Sequence, residues 1–442
     1  MKKILVIGAG RSSTSLIKYL LDNSSKENWS VTLVDFDFDL ANKKINNHPY
    51  GKSSKLDANN TEERRKFISN SDIVISMLPA RMHYNVLKDA VELGIHVITP
   101  SYVTDEIKLL NDVALKKGVL VLNELGLDPG IDHMSAKKMI DDVELSGGKV
   151  TGFESFTGGL VAPDSDDNPW NYKFTWNPRN VVLAGQGVAQ YIEKGSLKYI
   201  SYAKLFERLE NIKVLDAGEF EGYANRDSIK YLDIYNLKNI DTLFRGTLRN
   251  KGFSSAWNLL VKLGLTDDKT SINQSLNMTY NNFLRSKVFK NKKEDIYQLI
   301  SSKFNIKKNS LEVQCLDWLE LFSNKLIEIK NGTYADILEH ILSKKWNMKK
   351  NETDRVVMVH RFKYFKNKKL RNLVSYFHID GKNQIETAMA QTVGLPIGIF
   401  IKLFLMNKIN LKGIHLPVKE EIYNPILKEL KTFGIDFKEV NY

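Results

Sequence analysis

The sequence predicts an α/β protein: a Rossmann-type doubly wound parallel sheet, plus an α/β second domain carrying a mostly helical insertion. Three observations predict it. Short apolar runs alternate with helix-period segments from Lys2 to Leu122, the pattern of a parallel sheet covered on both faces. The first run ends in Gly8-Ala9-Gly10, where a dinucleotide-binding turn belongs. After Gly148 the text changes to longer alternating strands, an irregular stretch and lysine-rich helices.

Composition bounds the class. The chain has 442 residues, enough for two or three domains with real cores, and its 43% apolar and 26% charged content is ordinary for a globular protein. Its single cysteine, Cys315, cannot form an internal disulfide, which suits a reducing, cytoplasmic setting. The sequence opens directly on a strand, with no secretory leader pattern, and no window holds the ~20 uninterrupted apolar residues of a membrane span. The net charge of +12 reads first as a lysine-rich solvated surface and second as a field attracting an acidic small substrate. It lacks the basic clusters interleaved with aromatics that nucleic-acid binding uses, so neither membrane nor nucleic acid is expected as a partner.

Taken in order, Lys2 to Gly10 is a strand ending in the glycine turn, followed by a helix over Ser12 to Leu21. Glycine lets the backbone approach a pyrophosphate, which then rests on the helix N-terminus. The third fingerprint position holds Ser13 instead of Gly. Val31 to Val34 is the second strand and ends in Asp35, whose carboxylate is placed for the ribose hydroxyls of NAD; the plain competitor is a helix cap or turn residue. Lys55 to Asp57 predicts a short third strand, Asp72 to Met77 the fourth and His96 to Thr99 the fifth. Helices are expected over His83 to Glu92 and Asp105 to Lys117.

The sixth strand, within Val119 to Leu122, leads into Asn123 to His133, a crossing segment with two glycines and a proline. Ligands of doubly wound sheets bind beyond the carboxyl ends of the strands, so Glu124, Asp128, Asp132 and His133 are expected at the mouth of a site. The bland reading is a strand-to-helix connection with Asp132 as N-cap of a helix beginning near Ile131.

Beyond Gly148, Lys149 to Thr157 predicts a strand with one exposed face, Gly158 to Arg179 a long functional loop and Val181 to Glu193 a helix. Asp241 to Phe253 predicts a strand with Arg245 and Arg249 on one face. Ala256 to Trp346 is helical, with Ile337, Leu338, Ile341, Leu342 and Trp346 as one core stripe. Asp354 to Tyr364 and Leu370 to Ile379 form a hairpin, Ile385 to Leu405 a helix pair broken at Gly394-Leu395-Pro396, and Pro425 to Phe433 a last helix. Walker loops, zinc patterns and nucleophile elbows are missing from the sequence, whereas hydride transfer on a nicotinamide needs none of them.

Several stretches resemble one family. Gly126-Leu127-Asp128-Pro129-Gly130-Ile131-Asp132-His133, Gly158-Gly159-Leu160 with Ala162-Pro163, Asn168-Pro169, Tyr172-Lys173-Phe174 and Trp176 are similar to saccharopine dehydrogenases of the glutamate-forming type. So are Asn225-Arg226-Asp227-Ser228, Arg245-Gly246-Thr247-Leu248-Arg249, and Ala388-Met389-Ala390 with Thr392-Val393-Gly394-Leu395-Pro396. The resemblance runs through nearly the whole chain in order.

The resemblance implies three domains: an NAD(P)-binding Rossmann domain over 1–127 rejoined by about 386–442, a substrate domain over 128–255 and 347–385, and a helical insertion over 256–346. It implies that saccharopine is oxidised to an imine, whose hydrolysis gives glutamate and aminoadipate semialdehyde. The alternatives are a carboxynorspermidine-type condensing enzyme and a catalytically silent paralogue.

Substrate contacts implied in this way are Ser101, Tyr102, Asp128, Arg226, Thr247 and Arg249, with Asp128 and Tyr102 catalytic, the two arginines clamping carboxylates, and no metal. Cofactor contacts are Gly8, Gly10, Arg11, Ser12, Ser13, Asp35, Asp57, Ser76, Met77, Leu127 and Trp176, and a homodimer is expected. The sequence departs from the family at three places. Asp35 stands where many relatives carry an arginine for the 2′-phosphate, so NAD(H) is the expected cofactor and NADP(H) the second choice, softened by Lys43 and Lys44. Thr157 stands where a cysteine is usual, which rules out a thiol there, and Val161 replaces a proline.

Overall fold

The structure, a computed structural model, describes residues 1–441. It separates into two compact units. The first holds Met1–Lys149, Lys366–Lys369 and Ile379–Lys438; the second holds Val150–Phe365, Leu370–His378 and Glu439 onward. The expected division lies at 127/128, and the two compact units meet at Lys149/Val150, with segment 256–346 inside the second.

In the first unit, strands β1 (Lys2–Ile7), β2 (Trp29–Asp35), β3 (Gly51–Lys55), β4 (Ile73–Ser76), β5 (His96–Ile98) and β6 (Leu120–Leu122) form a parallel sheet in the order β6-β5-β4-β1-β2-β3. The C-terminal strand Gly413–His415 extends it beside β6. The reversal of order at β1 is the switch point where such sheets bind ligands. The third strand is Gly51–Lys55, earlier than expected, because its pairing with Val31 to Asp35 sets its position and it has little apolar text of its own. The expected Asp105–Lys117 helix is two helices, Asp105–Lys108 and Asn111–Lys117.

The apolar C-terminal segment is one helix, Ala388–Leu405, with Pro396 inside it, not a broken pair. It is long and apolar enough on composition to cross a membrane, yet 72% of it is buried inside the protein. It lies against the first helix, Thr14–Asp22. A Cβ at Gly394 would sit 2.6 Å from the Leu16 amide nitrogen, and one at Gly398 2.6 Å from the Tyr19 ring. These two glycines, one turn apart, allow that close approach. The missing third glycine of the nucleotide motif is thus matched by small residues on the partner helix. The last helix runs Glu420–Leu430, so Pro425 lies within it.

The second unit is built on a mixed sheet. Its strands lie in the order Glu210–Val214, Gly218–Ala224, Thr242–Asn250, Lys149–Val161, Asp354–Lys366, Lys369–Asp380 and Lys438–Asn441. Asn367 and Lys368 both take left-handed φ, as a two-residue hairpin turn requires. The helix expected over Val181–Glu193 is a short helix, Pro178–Val182, then a strand, Val188–Glu193. Gly185 and Gly187, at φ +82° and +98°, divide them. Trp170, Tyr172, Phe174, Phe253, Trp257 and Trp346 pack as one aromatic cluster, and the whole Ile337–Trp346 stripe is buried with it. Cys315 donates to the Pro169 carbonyl inside this core; burial pushes its thiol up to about 12, so it stays protonated.

Candidate active site

In the first unit the glycine turn sits where β1 meets its helix. A Cβ at Gly8, φ +111°, would lie 2.8 Å from the Met77 carbonyl oxygen, so only glycine fits, whereas the space beside Gly10 is open. Ser13 is buried and donates to the Gly10 carbonyl, and Arg11 is exposed beside Ser12 on the same turn. This cradle with an open approach fits a dinucleotide pyrophosphate.

At the end of β2, Asp35 accepts the Ala9 amide at 2.6 Å and the Asp37 amide at 2.9 Å. The helix cap expected as its competitor is Asp37, which accepts from the Leu40 amide. In the sequence Lys44 is only a nearby charge. It reaches back to the turn and donates to the Gly10 carbonyl at 2.6 Å, Thr14 at 2.8 Å and Ser13 at 3.1 Å. Burial lowers its ammonium to about 8, against an upward pull from Asp35. Asp57 accepts from the amide and side chain of Asn59 in the turn after β3. Ser76 closes β4 with its hydroxyl 2.8 Å from His83 Nδ1, and Met77 donates its amide to Ile7.

The loop after β6 is a closed ring. Gly126 donates to the Pro129 carbonyl, and the Ile131 amide returns to the Gly126 carbonyl. A Cβ at Gly130 would collide with Gly126 backbone at 2.1 Å, so glycine is required there. Leu127 is buried in this ring, and Asp128, followed by a cis Pro129, projects from it half-buried. The Tyr102 hydroxyl donates to Asp128 Oδ1 at 3.1 Å. Ser101 precedes that tyrosine, its carbonyl accepting the Glu124 amide. The N-cap of the following helix, Ile131–Leu145, is Gly130; Asp132 sits inside the first turn and accepts the Gly130 amide.

In the second unit, Arg249 is 3% exposed. Its guanidinium lies 5.2 Å from the Tyr172 ring, 5.3 Å from Phe253 and 5.8 Å from Tyr223. It donates to the Leu248 carbonyl, its Nε has no hydrogen-bond partner, and among the described residues no carboxylate pairs with it. The hydroxyl of Thr157 is also buried without a partner.

Arg245 turns to the Tyr231 face at 4.4 Å, and Thr247 pairs in register with Tyr223. Arg226, the other arginine expected to bind a carboxylate, lies in a polar turn. It is exposed, at φ +51°, in the turn after Gly218–Ala224. Trp176 is half-buried against the aromatic core. Sequence reasoning missed the aromatic box around Arg249, because Tyr172, Tyr223 and Phe253 come from three distant segments.

Residues 4–122 match the model of the saccharopine dehydrogenase NADP binding domain, and residues 126–435 that of the saccharopine dehydrogenase C-terminal domain. The chain is 34% identical to saccharopine dehydrogenase [NADP(+), L-glutamate-forming] of Saccharomyces cerevisiae, with 99% of each chain covered. It belongs to the saccharopine dehydrogenase family. It is also 33% identical to mitochondrial alpha-aminoadipic semialdehyde synthase of Mus musculus, 99% of it aligning with 47% of that protein. The apo structure of the Saccharomyces cerevisiae saccharopine dehydrogenase superposes over 100% of both chains with a TM-score of 0.88 at 31% identity. A homospermidine synthase from Legionella pneumophila, at TM-score 0.55 and 11% identity, shares the fold alone. The family's first domain is thus described as NADP-binding, which fits the cradle at Gly8 and leaves the expected NAD preference without support from relatives.

Proposed function

We propose that this chain is an NAD(P)-dependent saccharopine dehydrogenase of the L-glutamate-forming type, interconverting saccharopine with L-glutamate and 2-aminoadipate 6-semialdehyde in lysine metabolism. One observation carries the substrate reading: a buried guanidinium, Arg249, framed by three rings and, among the described residues, lacking any acidic partner. An uncompensated buried charge is costly, and a carboxylate of the substrate supplies what the fold leaves out. Saccharopine carries three carboxylates.

When bound, the nicotinamide supplies the hydride acceptor, and the Gly8–Ser13 turn, Asp35, Lys44 and Asp57 are the groups that would hold the dinucleotide. Asp128, with Tyr102 hydrogen-bonded to it, takes up the proton of the substrate's secondary amine and orients the water that hydrolyses the imine. Arg249 binds one carboxylate and Thr247 adds a hydrogen bond. Arg226, exposed in a turn, is the second group proposed to bind a carboxylate. Asp35 favours NAD, because its carboxylate would face the 2′-phosphate of NADP.

The test is absorbance of the reduced nicotinamide on adding saccharopine with each oxidised cofactor. Asp128→Asn is expected to fold normally and to lose roughly 10²-fold or more in kcat. No turnover of saccharopine by the native chain with either cofactor would refute the assignment.

A further inference from the structure

Glu124 and His133 are among the most deeply buried polar side chains of the first unit, each 0% exposed, and the reaction proposed above uses neither. Glu124 holds a left-handed backbone at φ +59°, a costly conformation for a residue with a side chain. Its bonds explain what holds it there. Its amide donates to the Ser101 carbonyl at 3.0 Å, and its Oε1 accepts the Val103 amide at 3.0 Å. The peptide groups on both sides of Tyr102 are therefore fastened to one residue.

The other carboxylate oxygen lies 2.8 Å from His133 Nε2. His133 Nδ1 lies 3.6 Å from Asp132 Oδ2, and the other oxygen of Asp132 accepts the Gly130 amide at 2.6 Å. Gly130 closes the ring from which Asp128 projects. A continuous buried polar chain thus runs from the Tyr102 segment, through Glu124, His133 and Asp132, to the Asp128 ring. Burying this many polar groups costs more than an apolar packing of the same volume would. Placement errors of about 1 Å at reacting groups cost about 10²-fold in rate, so rigid support there has a kinetic value.

We infer that Glu124 and His133 are positioning residues that set the Tyr102–Asp128 hydrogen bond. The inference rests on the proposed role of that pair. Glu124 orients Tyr102 by holding Ser101 and Val103, and His133 links Glu124 to the turn that aims Asp128.

The experiment is a double-mutant cycle on the full chain, with saccharopine oxidation followed at saturating cofactor. Glu124→Gln and His133→Gln keep the size and part of the hydrogen bonding while changing the pairing. Each is expected to lower kcat about 10-fold or more, with KM for the cofactor within about twofold. In an Asp128→Asn background the same changes are expected to lower kcat less than about twofold further, because a residue acting through Asp128 has nothing left to place. A merely structural role predicts equal losses in both backgrounds. If Glu124→Gln fails to fold, His133→Gln, which leaves the Val103 bond intact, carries the same cycle. Unchanged kcat in the foldable variant, or a full additional loss in the Asp128→Asn background, overturns the inference while leaving the role of Asp128 standing. Normal kcat in both Asp128→Asn and Tyr102→Phe overturns the underlying mechanism, and the inference with it.

Discussion

Glu124 and Arg249 are both ionisable side chains sealed from solvent, one in each unit, and the fold treats them in opposite ways. Around Glu124 the chain provides an amide, an imidazole and a second acid behind it. Around Arg249 it provides one carbonyl and three aromatic faces, and leaves Nε unmatched. The first arrangement is complete without a ligand and has the character of a scaffold. The second is incomplete, and a buried donor left unmatched costs about 1–3 kcal/mol or more, which is the ground for proposing it as a binding group.

The largest expected effects set these two residues against each other. Removing one partner of a buried pair typically costs 3–5 kcal/mol, so Glu124→Ala should lower the melting temperature sharply. Arg249→Met should leave the melting temperature unchanged or raise it, since an unpaired buried charge is replaced by apolar bulk. The same Arg249 variant should lose roughly 2–5 kcal/mol in kcat/KM for saccharopine, the cost of leaving a carboxylate unmatched. Thermal melts and steady-state kinetics on both variants decide it. If Arg249→Met melts well below the native chain, the guanidinium is structural and the contrast fails.

A second effect is of roughly 3 kcal/mol and belongs to the scaffold side. His83 is buried, with Nδ1 2.8 Å from the Ser76 hydroxyl and 3.1 Å from that of Thr99. Burial lowers its pKa to about 4 from the ordinary 6.5. The unfolded chain binds a proton below 6.5 that the folded chain refuses until about 4. The associated stability is therefore fully present above 6.5, is lost progressively as pH falls from 6.5 to about 4, and changes no further below. At 1.36 kcal/mol per unit over about 2.5 units this comes to roughly 3.4 kcal/mol at the acid end. Melting curves from pH 7.5 to 4.5 should show a shallower acid loss in His83→Gln than in the native chain. Equal slopes would place the acid sensitivity on other groups.

The sequence made some of this legible and concealed the rest for physical reasons. The parallel sheet of the first unit was readable because β1, β2 and β4 are short apolar runs whose neighbours are amphipathic helices. The strand Gly51–Lys55 was not, since its only apolar-permissive residue is a glycine and its place is fixed by pairing with β2. The Ala388–Leu405 helix was split in two because Gly394 and Pro396 look like a break. Packing against the Thr14–Asp22 helix is what makes those small residues favourable. At the site, Asp128 and Tyr102 could be named from the motif, and their contact is present. Arg226 could not be judged, because the same Asn-Arg-Asp text serves an exposed left-handed turn as readily as a buried clamp. The box around Arg249 joins residues 172, 223, 249 and 253, a juxtaposition that no local periodicity encodes.

The smallest expected effect concerns the cofactor. It sharpens the comparison, because Asp35 and Lys44 are charged groups that are only half-buried and already bonded to the glycine turn. If the ribose binds at Asp35, as proposed above, a 2′-phosphate there would meet its carboxylate at close range. Two unit charges at 4 Å repel by about 1 kcal/mol in water and about 4 kcal/mol near a protein surface. The Lys44 ammonium, held on Gly10, Ser13 and Thr14, offsets part of that repulsion. The net should be near 1.4 kcal/mol, or about tenfold in kcat/KM in favour of NAD. Asp35→Ser removes the repulsion and should bring the two cofactors to parity or reverse their order, mainly by improving use of NADP. Lys44→Met should act in the other direction, weakening NADP more than NAD. Steady-state kinetics of the native chain and both variants with each cofactor separate the contributions. If the native chain uses NADP more efficiently and Lys44→Met abolishes that advantage, Lys44 sets cofactor choice and the carboxylate of Asp35 serves the Ala9 and Asp37 amides alone.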